Sequence, residues 1–479
     1  MSGTTLKTLA IVLGGLLLIA AILLIRPGYF ANPEILVIFI VAQIVIAAVC
    51  KYRQVFFVIL MAAFLWAGIN MPFHGAWLQG RWFVLGVGAL AGLAIYMKDK
   101  NQRFGQIHMV AFFCVLSAVV SAMVSSYPEE SFLKAASLFL LFVYASSGAR
   151  LAVPWFSPQA FFRGLLRVCE FLAYFTAVSY YILRWEVYGT SNAFGAVMGV
   201  VVVPVILWGF LTAETVSARR RLGFELLLAM LTLMSSFCRA GIASATISCL
   251  AVCISHRQYR LVVKGMAAVV VLAISAVTFV PQQSEAPKWD SSQSLAEMFL
   301  YKGKPKAGVL GSRQGPWAQT WAVIKDNPWF GSGFGTSQTT DDLTSIQVTY
   351  GGSHVDTRVI REHGNSYLAI VEWVGLLGVI PFYSLILLTA ANVRNVLSRL
   401  HRTGNISSPA VPVALILLAG LVEAGFEDGL LAVGYYLCVF FWSLAFILDD
   451  LIHASGQIVY RPENSMPAYE QFTAVAPGR

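Results

Sequence analysis

The sequence predicts an all-α, polytopic integral membrane protein, and three observations carry the prediction. Of its 479 residues, 58% are hydrophobic and only 12% charged, whereas a soluble domain carries about 25% charged residues. The apolar residues gather in runs close to the roughly 20 residues that a helix needs to cross a bilayer. Backbone exposed to lipid must satisfy its own hydrogen bonds, so these runs are helices and not open strands.

By that length criterion the chain offers about 12–14 transmembrane helices. They lie near 7–25, 33–50, 54–73, 82–97, 106–125, 131–148, 165–183, 192–212, 222–238, 241–255, 261–280, 364–390, 409–426 and 429–449. The pairs 222–238 with 241–255, and 409–426 with 429–449, are joined very tightly. Residues 1–280 therefore read as a helical block, 281–362 as one large loop with short helices, 363–449 as the closing helices, and 450–479 as a polar tail. The first run is not expected to be cleaved, because Ile25-Arg26-Pro27 offers no small-residue cleavage pattern. The segment Trp155 to Val168 sets Phe161, Phe162, Leu165 and Leu166 against Arg163 and Arg167, the pattern of an interfacial helix.

The chain holds 33 lysines and arginines against 24 acidic residues, an excess that superficially resembles a nucleic-acid binder. Its distribution excludes that class. Lys51 to Arg53, Lys98 to Arg103, Arg150 with Arg163 and Arg167, Arg219 to Arg221, Arg257 with Arg260, and Arg394 to Arg402 all follow even-numbered runs. Connections after odd runs are poorer in basic residues and hold Glu129-Glu130 and Glu427-Asp428. The positive-inside rule then expects both termini in the cytoplasm and the 281–362 loop outside, which in a bacterial inner membrane is the periplasmic face. The cysteines (Cys50, Cys114, Cys169, Cys238, Cys249, Cys253, Cys438) sit in or beside apolar runs without metal-ligand spacing. They read as small hydrophobes used for packing.

The chemistry concentrates between Ser312 and Leu368. Ser312 can cap a helix beginning near Arg313, with Trp317, Trp321 and Ile324 on one face, and Asn327-Pro328 stops it. Arg313 then stands at a helix N-terminus, where free N–H groups already favour an anion and a guanidinium adds a bidentate fork; the alternative is a surface arginine beside a cap. Gly331, Gly333 and Gly335 lack the strand-then-helix context of a nucleotide loop and read as turn glycines. Trp317, Trp321, Trp329 and Phe330 suit the headgroup level. Arg239, in FCRAG between two runs, is an ionisable group at the membrane boundary and so a candidate site residue, or else an interfacial arginine reaching lipid phosphate. His363 in REHGNSYL is the residue best placed to serve as a base near neutral pH, with His354 as the fallback. Trp317, Arg361, Asn365, Tyr367 and Glu372 are supporting candidates, Glu423 is a further intramembrane acid able to pair or line the cavity, and Asp341-Asp342 reads as an exposed acidic pair rather than a metal site.

Together, FCRAG around Arg239, the stretch from Ser312 to Thr336, and HGNSYL with the nearby VGLLG resemble the bacterial O-antigen ligase and O-antigen polymerase family. The resemblance implies a membrane glycosyltransferase that takes an undecaprenyl-diphosphate-linked glycan as donor, without metal or other cofactor. It implies that Arg239 and Arg313 hold the diphosphate and that His363 activates an acceptor hydroxyl. The acceptor would be a second lipid-linked repeat unit in a polymerase, or lipid A core or protein in a ligase; a chain-length regulator or export machinery are further expected partners, nucleic acid is not. One departure stands out: the family often places histidine directly before the Asn-Ser/Thr-Tyr-Leu run, whereas Gly364 intervenes here. The rival class is a lipid-linked oligosaccharide flippase, but transporters set polar residues at the midplane of repeated broken helices. Here they gather at one face, in one insert.

Overall fold

A computed structural model describes residues 53–69, 74–98, 104–153, 158–185, 187–188, 190–265, 267, 271, 311–337, 348–350, 353–355 and 363–458. The expected runs at 7–25 and 33–50, most of 261–280, and the residues Arg361, Glu362 and Asp341-Asp342 lie outside them. The described chain is helical apart from a two-stranded antiparallel hairpin, β1 (Val348–Tyr350) with β2 (Ser353–Val355), in which His354 pairs with Thr349. Among the described residues six helices are long and apolar enough to cross a membrane, so the polytopic reading stands.

In order the helices are α1 (Arg53–Ala67), α2 (His74–Tyr96), α3 (Gln106–Val124), α4 (Pro128–Tyr144, carried through a π turn to Ala152) and α5 (Pro158–Ala177, carried through a π turn to Ile182). Then come α6 (Ser191–Ala196, a π segment, and Val203–Thr212), α7 (Val216–Ser235), α8 (Arg239–Ser255), α9 (Gly311–Asp326), α10 (Ser366–Thr403), α11 (Ala410–Glu423) and α12 (Tyr436–Ile458). Apolar side chains such as Phe112, Leu133, Phe171, Ile380 and Leu387 face outward, as lipid-facing residues do in a helical bundle.

Close approach between helices comes from small residues, as expected where lipid tails are as apolar as the interface. A Cβ on Gly199 or Gly241 would overlap the backbone of the facing helix, so α6 and α8 touch backbone to backbone. That contact fixes the N-terminal end of α8, where Arg239 sits.

Several boundaries differ from the sequence reading. The amphipathic segment around Phe161 is not a separate interfacial helix but the opening turns of α5. Arg219 to Arg221 lie within α7, which begins at Val216. The final pair of helices is not joined tightly: 424–435 forms a connection whose Leu430, Leu431 and Val433 are buried against the core, and its apolar content mimics a span. Most consequential, α10 runs for 38 residues and is broken at Gly375 (φ 68°, ψ −179°).

That break is filled by the glycine-rich loop. The carbonyls that the helix orphans, Glu372 and Trp373, accept from Ser332 N (2.9 Å) and Gly333 N (3.1 Å), while Leu376 N and Leu377 N donate to Pro328 O (2.8 Å) and Trp329 O (3.2 Å). Non-helical backbone is tolerated at membrane depth only where protein satisfies it, and this exchange does so. Gly375 is required because its φ/ψ lies in a region open essentially only to glycine and a Cβ would overlap Trp329. Ser125, Ser131 and Lys134 of the α3–α4 hairpin hold the same loop through the carbonyls of Ser332, Phe334 and Gly335, and Ser121 donates to the Trp373 carbonyl at the break itself.

Candidate functional site

Helices that alternate in direction bring one set of ends together: the start of α8, the start of α9, the start of α10 and the connection 424–435. Ser366 N donates to Ala424 O (2.8 Å) and Ser366 Oγ to Glu427 O (2.6 Å), which joins the start of α10 to that connection. Asn365 caps α10, its side chain accepting from Tyr367 N (2.9 Å) and Leu368 N (3.1 Å). The helix thus starts only after Asn365, and Gly364 adopts φ 62° just before it. The extra glycine is accommodated by a left-handed turn outside the helix, so the helical register beyond Asn365 is not rotated.

Three residues far apart in sequence meet here. Arg313, in the first turn of α9, forms an ion pair with Glu427 and packs over Gly364, where a Cβ would come within 2.6 Å of Arg313 Nη1. Arg239 lies within electrostatic reach of Arg313. Like charges brought together inside a folded protein are costly unless an anion resolves them, and Glu427 supplies one such anion. Trp317 donates from Nε1 to Gly364 O (3.4 Å), which lays α9 across the same turn. The expected N-cap differs: α9 begins at Gly311, so Ser312 lies within its first turn. Of the aromatic face, Ile324 is buried while Trp321, Trp329 and Phe330 are exposed, as interfacial anchors require.

His363 is 1% exposed and closely surrounded. Its Nε2 lies 3.1 Å from Ser337 Oγ and 3.1 Å from Glu372 Oε1, and its Nδ1 lies 3.4 Å from Asp428 Oδ2. Asp428 also accepts from the backbone, His363 N at 2.5 Å and Asn365 N at 2.9 Å. Burial opposes the charged imidazolium, but the nearby Asp428 and Glu372 carboxylates outweigh it, so His363 holds its proton more tightly than an ordinary histidine. Asp428 is shifted the other way: burial favours its neutral form, yet His363 and the two backbone donors hold it ionised below the usual carboxylate range. Edge-on contact with Trp373 (5.4 Å between ring centres) completes the setting.

The supporting candidates divide. Asn365 and Glu372 are built into the His363 environment. Tyr367 is not: its hydroxyl donates to Leu421 O (2.6 Å) and ties α10 to α11. Glu423 is buried beside Gly429 and Tyr435, within electrostatic reach of Glu427, Asp428 and Arg313. Sequence reasoning missed Glu427, Asp428 and Ser337 as site residues. Glu427-Asp428 registered only as an acidic marker of topology; adjacent acids at the same bundle end as two candidate arginines were the available signal.

Chemically, the cluster pairs a cationic patch able to hold a diphosphate with an imidazole whose proton uptake is supported by two carboxylates. Residues 224–383 match the family model described as O-antigen ligase. The match runs from α7 to the middle of α10 and takes in Arg239, Arg313, His363 and Glu372, but stops before Glu427 and Asp428. No curated protein matches the chain.

Proposed function

From the match of residues 224–383 to the O-antigen ligase family model, we propose that the chain is an inner-membrane glycosyltransferase of the O-antigen ligase and polymerase family, polymerising undecaprenyl-diphosphate-linked repeat units at the periplasmic face. The observation that carries the reading is the meeting of Arg239, Arg313 and His363 at one end of the bundle.

In the proposed reaction the donor's diphosphate competes with the Glu427 carboxylate for the Arg313 fork, with Arg239 alongside. The acceptor hydroxyl oxygen attacks the anomeric carbon from the opposite side. The bond to phosphate breaks, its electron pair passes to the diphosphate oxygen, and both guanidinium groups stabilise the charge that develops there. The hydroxyl proton goes to His363 Nε2, where Ser337 Oγ now lies. The imidazolium formed is stabilised by Glu372 and Asp428, which makes His363 a stronger base than a solvated histidine. Attack from the far face gives inversion. The polyprenyl tail lies between helices, open to lipid.

A ligase reading differs only in the acceptor, and the description of the matching family model favours keeping it beside the first. The test is an assay on purified protein with a lipid-linked glycan donor and two acceptors offered separately: a second lipid-linked repeat unit, and lipid A core. Longer lipid-linked chains with the first support the polymerase; transfer only to the second replaces it with the ligase. An unchanged glycan with both acceptors refutes glycosyl transfer.

A further inference from the structure

At the opposite end of the bundle from Arg313, the last turns of α10 carry Arg394, Arg399, His401 and Arg402, all exposed. Beyond the break at Gly375 the helix runs on from 376 to 403, about 42 Å at 1.5 Å per residue, against a hydrocarbon core about 30 Å thick. Starting from the Arg313 end, its final turns therefore stand at or beyond the far headgroup layer. Among the described residues no carboxylate pairs with these cations. The acids nearby are already engaged: Asp450 by Arg150 and Asp449 by Asn392 (3.1 Å).

Two cavities flank this helix end. One, of about 670 Å³, is lined by Arg399 and Arg402, by the Arg150–Asp450 ion pair, and by Asn405 and Ser408, with Leu400 and Ile447 among its apolar lining. The other, of about 490 Å³, is lined by Arg394, His401 and Arg402 with Leu397 and Leu418. Arg402 borders both. Basic residues that only set orientation have no need of a cavity. Here the guanidinium groups of Arg394, Arg399 and Arg402 rim pockets with apolar lining, the chemistry that suits a phosphate-bearing headgroup with acyl chains running down the wall.

We propose that the larger cavity binds an anionic phospholipid, its phosphodiester held by Arg399 and Arg402 and its chains against the apolar lining. The site is independent of the glycosyl-transfer reading, since it lies at the other end of the bundle and shares no residue with it. Binding at this end would steady α10, the helix whose start holds Asn365 and Glu372.

The test is native mass spectrometry of the purified full chain with cardiolipin, phosphatidylglycerol or phosphatidylcholine, and separately with inorganic pyrophosphate. Expected is retained cardiolipin or phosphatidylglycerol over phosphatidylcholine, and at least tenfold weaker retention in the double variant Arg399→Gln, Arg402→Gln, as loss of charge-assisted hydrogen bonds demands. Arg219→Gln, at the same bundle end but outside both cavities, should bind as the unaltered protein does. If the double variant does not fold, Arg402→Gln alone serves the same comparison. Undiminished retention in the variant, or equal retention of phosphatidylcholine, overturns the site. Variant-sensitive binding of pyrophosphate without lipid binding overturns the lipid assignment.

Discussion

Replacing Asp428 by asparagine keeps the shape of the side chain and removes its charge, which makes it the sharpest probe of His363. Asp428 accepts from His363 N and Asn365 N and faces His363 Nδ1 at 3.4 Å, with only 19% of the side chain exposed. The asparagine oxygen can serve one of the two backbone donors, while its NH₂ confronts the other. Losing one hydrogen bond to a charged group and stranding a buried N–H costs about 1.5–3 kcal/mol. If that loss falls on positioning the base, kcat/KM drops roughly ten- to hundredfold at 1.36 kcal/mol per decade. The direction of the pH effect is equally defined. His363 is raised in the folded protein, so its contribution to stability is present below the unfolded histidine value of about 6.5 and is lost as pH rises through the folded one. Asp428→Asn lowers that folded value, so the acid limb of the kcat/KM profile should move to lower pH and the stability gained on the acid side should shrink. Glycosyl transfer measured across pH with a lipid-linked donor, alongside melting temperature, reads both. An acid limb that does not move, with melting temperature alone reduced, would make Asp428 a structural cap and remove His363 from proton transfer.

Other perturbations bear on separate links. His363→Ala should abolish product while the protein remains in the membrane at normal abundance; wild-type chain lengths in that variant would place the base elsewhere. Gly375→Ala forces a Cβ into a glycine-only backbone region and onto Trp329; at about 1–3 kcal/mol for the strain alone, it should lower the melting temperature by several degrees, and an unchanged value would mean that the loop does not fill the break. Reporter fusions after residues 300 and 397 should report opposite sides of the membrane, with the same side for both refuting the proposed orientation.

The helical frame was legible because hydropathy and backbone satisfaction act locally: a run of apolar residues in lipid is a helix whatever surrounds it. Alternation of such runs sufficed to expect Arg239, Arg313 and His363 at one face. What the chain did not disclose depends on contacts between distant segments. Gly375 looks like any glycine in VGLLG until the loop 328–334 is seen bonded into the gap it opens. The connection 424–435 reads as the edge of a span because its leucines and tyrosines are apolar, yet they pack on protein while Glu427 and Asp428 turn toward Arg313 and His363. Arg394 to Arg402 read as a loop cluster, since nothing in their composition distinguishes a loop from a helix that outlasts the bilayer.

The most direct measurement is the affinity of polyprenyl diphosphate for the unaltered protein, Arg239→Gln, Arg313→Gln and the double variant. Two guanidinium groups gripping one diphosphate should weaken binding severalfold or more in each single variant, and the double variant should depart from additivity by at least about 0.5 kcal/mol, as residues sharing a partner do. Additive effects, or an affinity indifferent to either arginine, would contradict a shared diphosphate site.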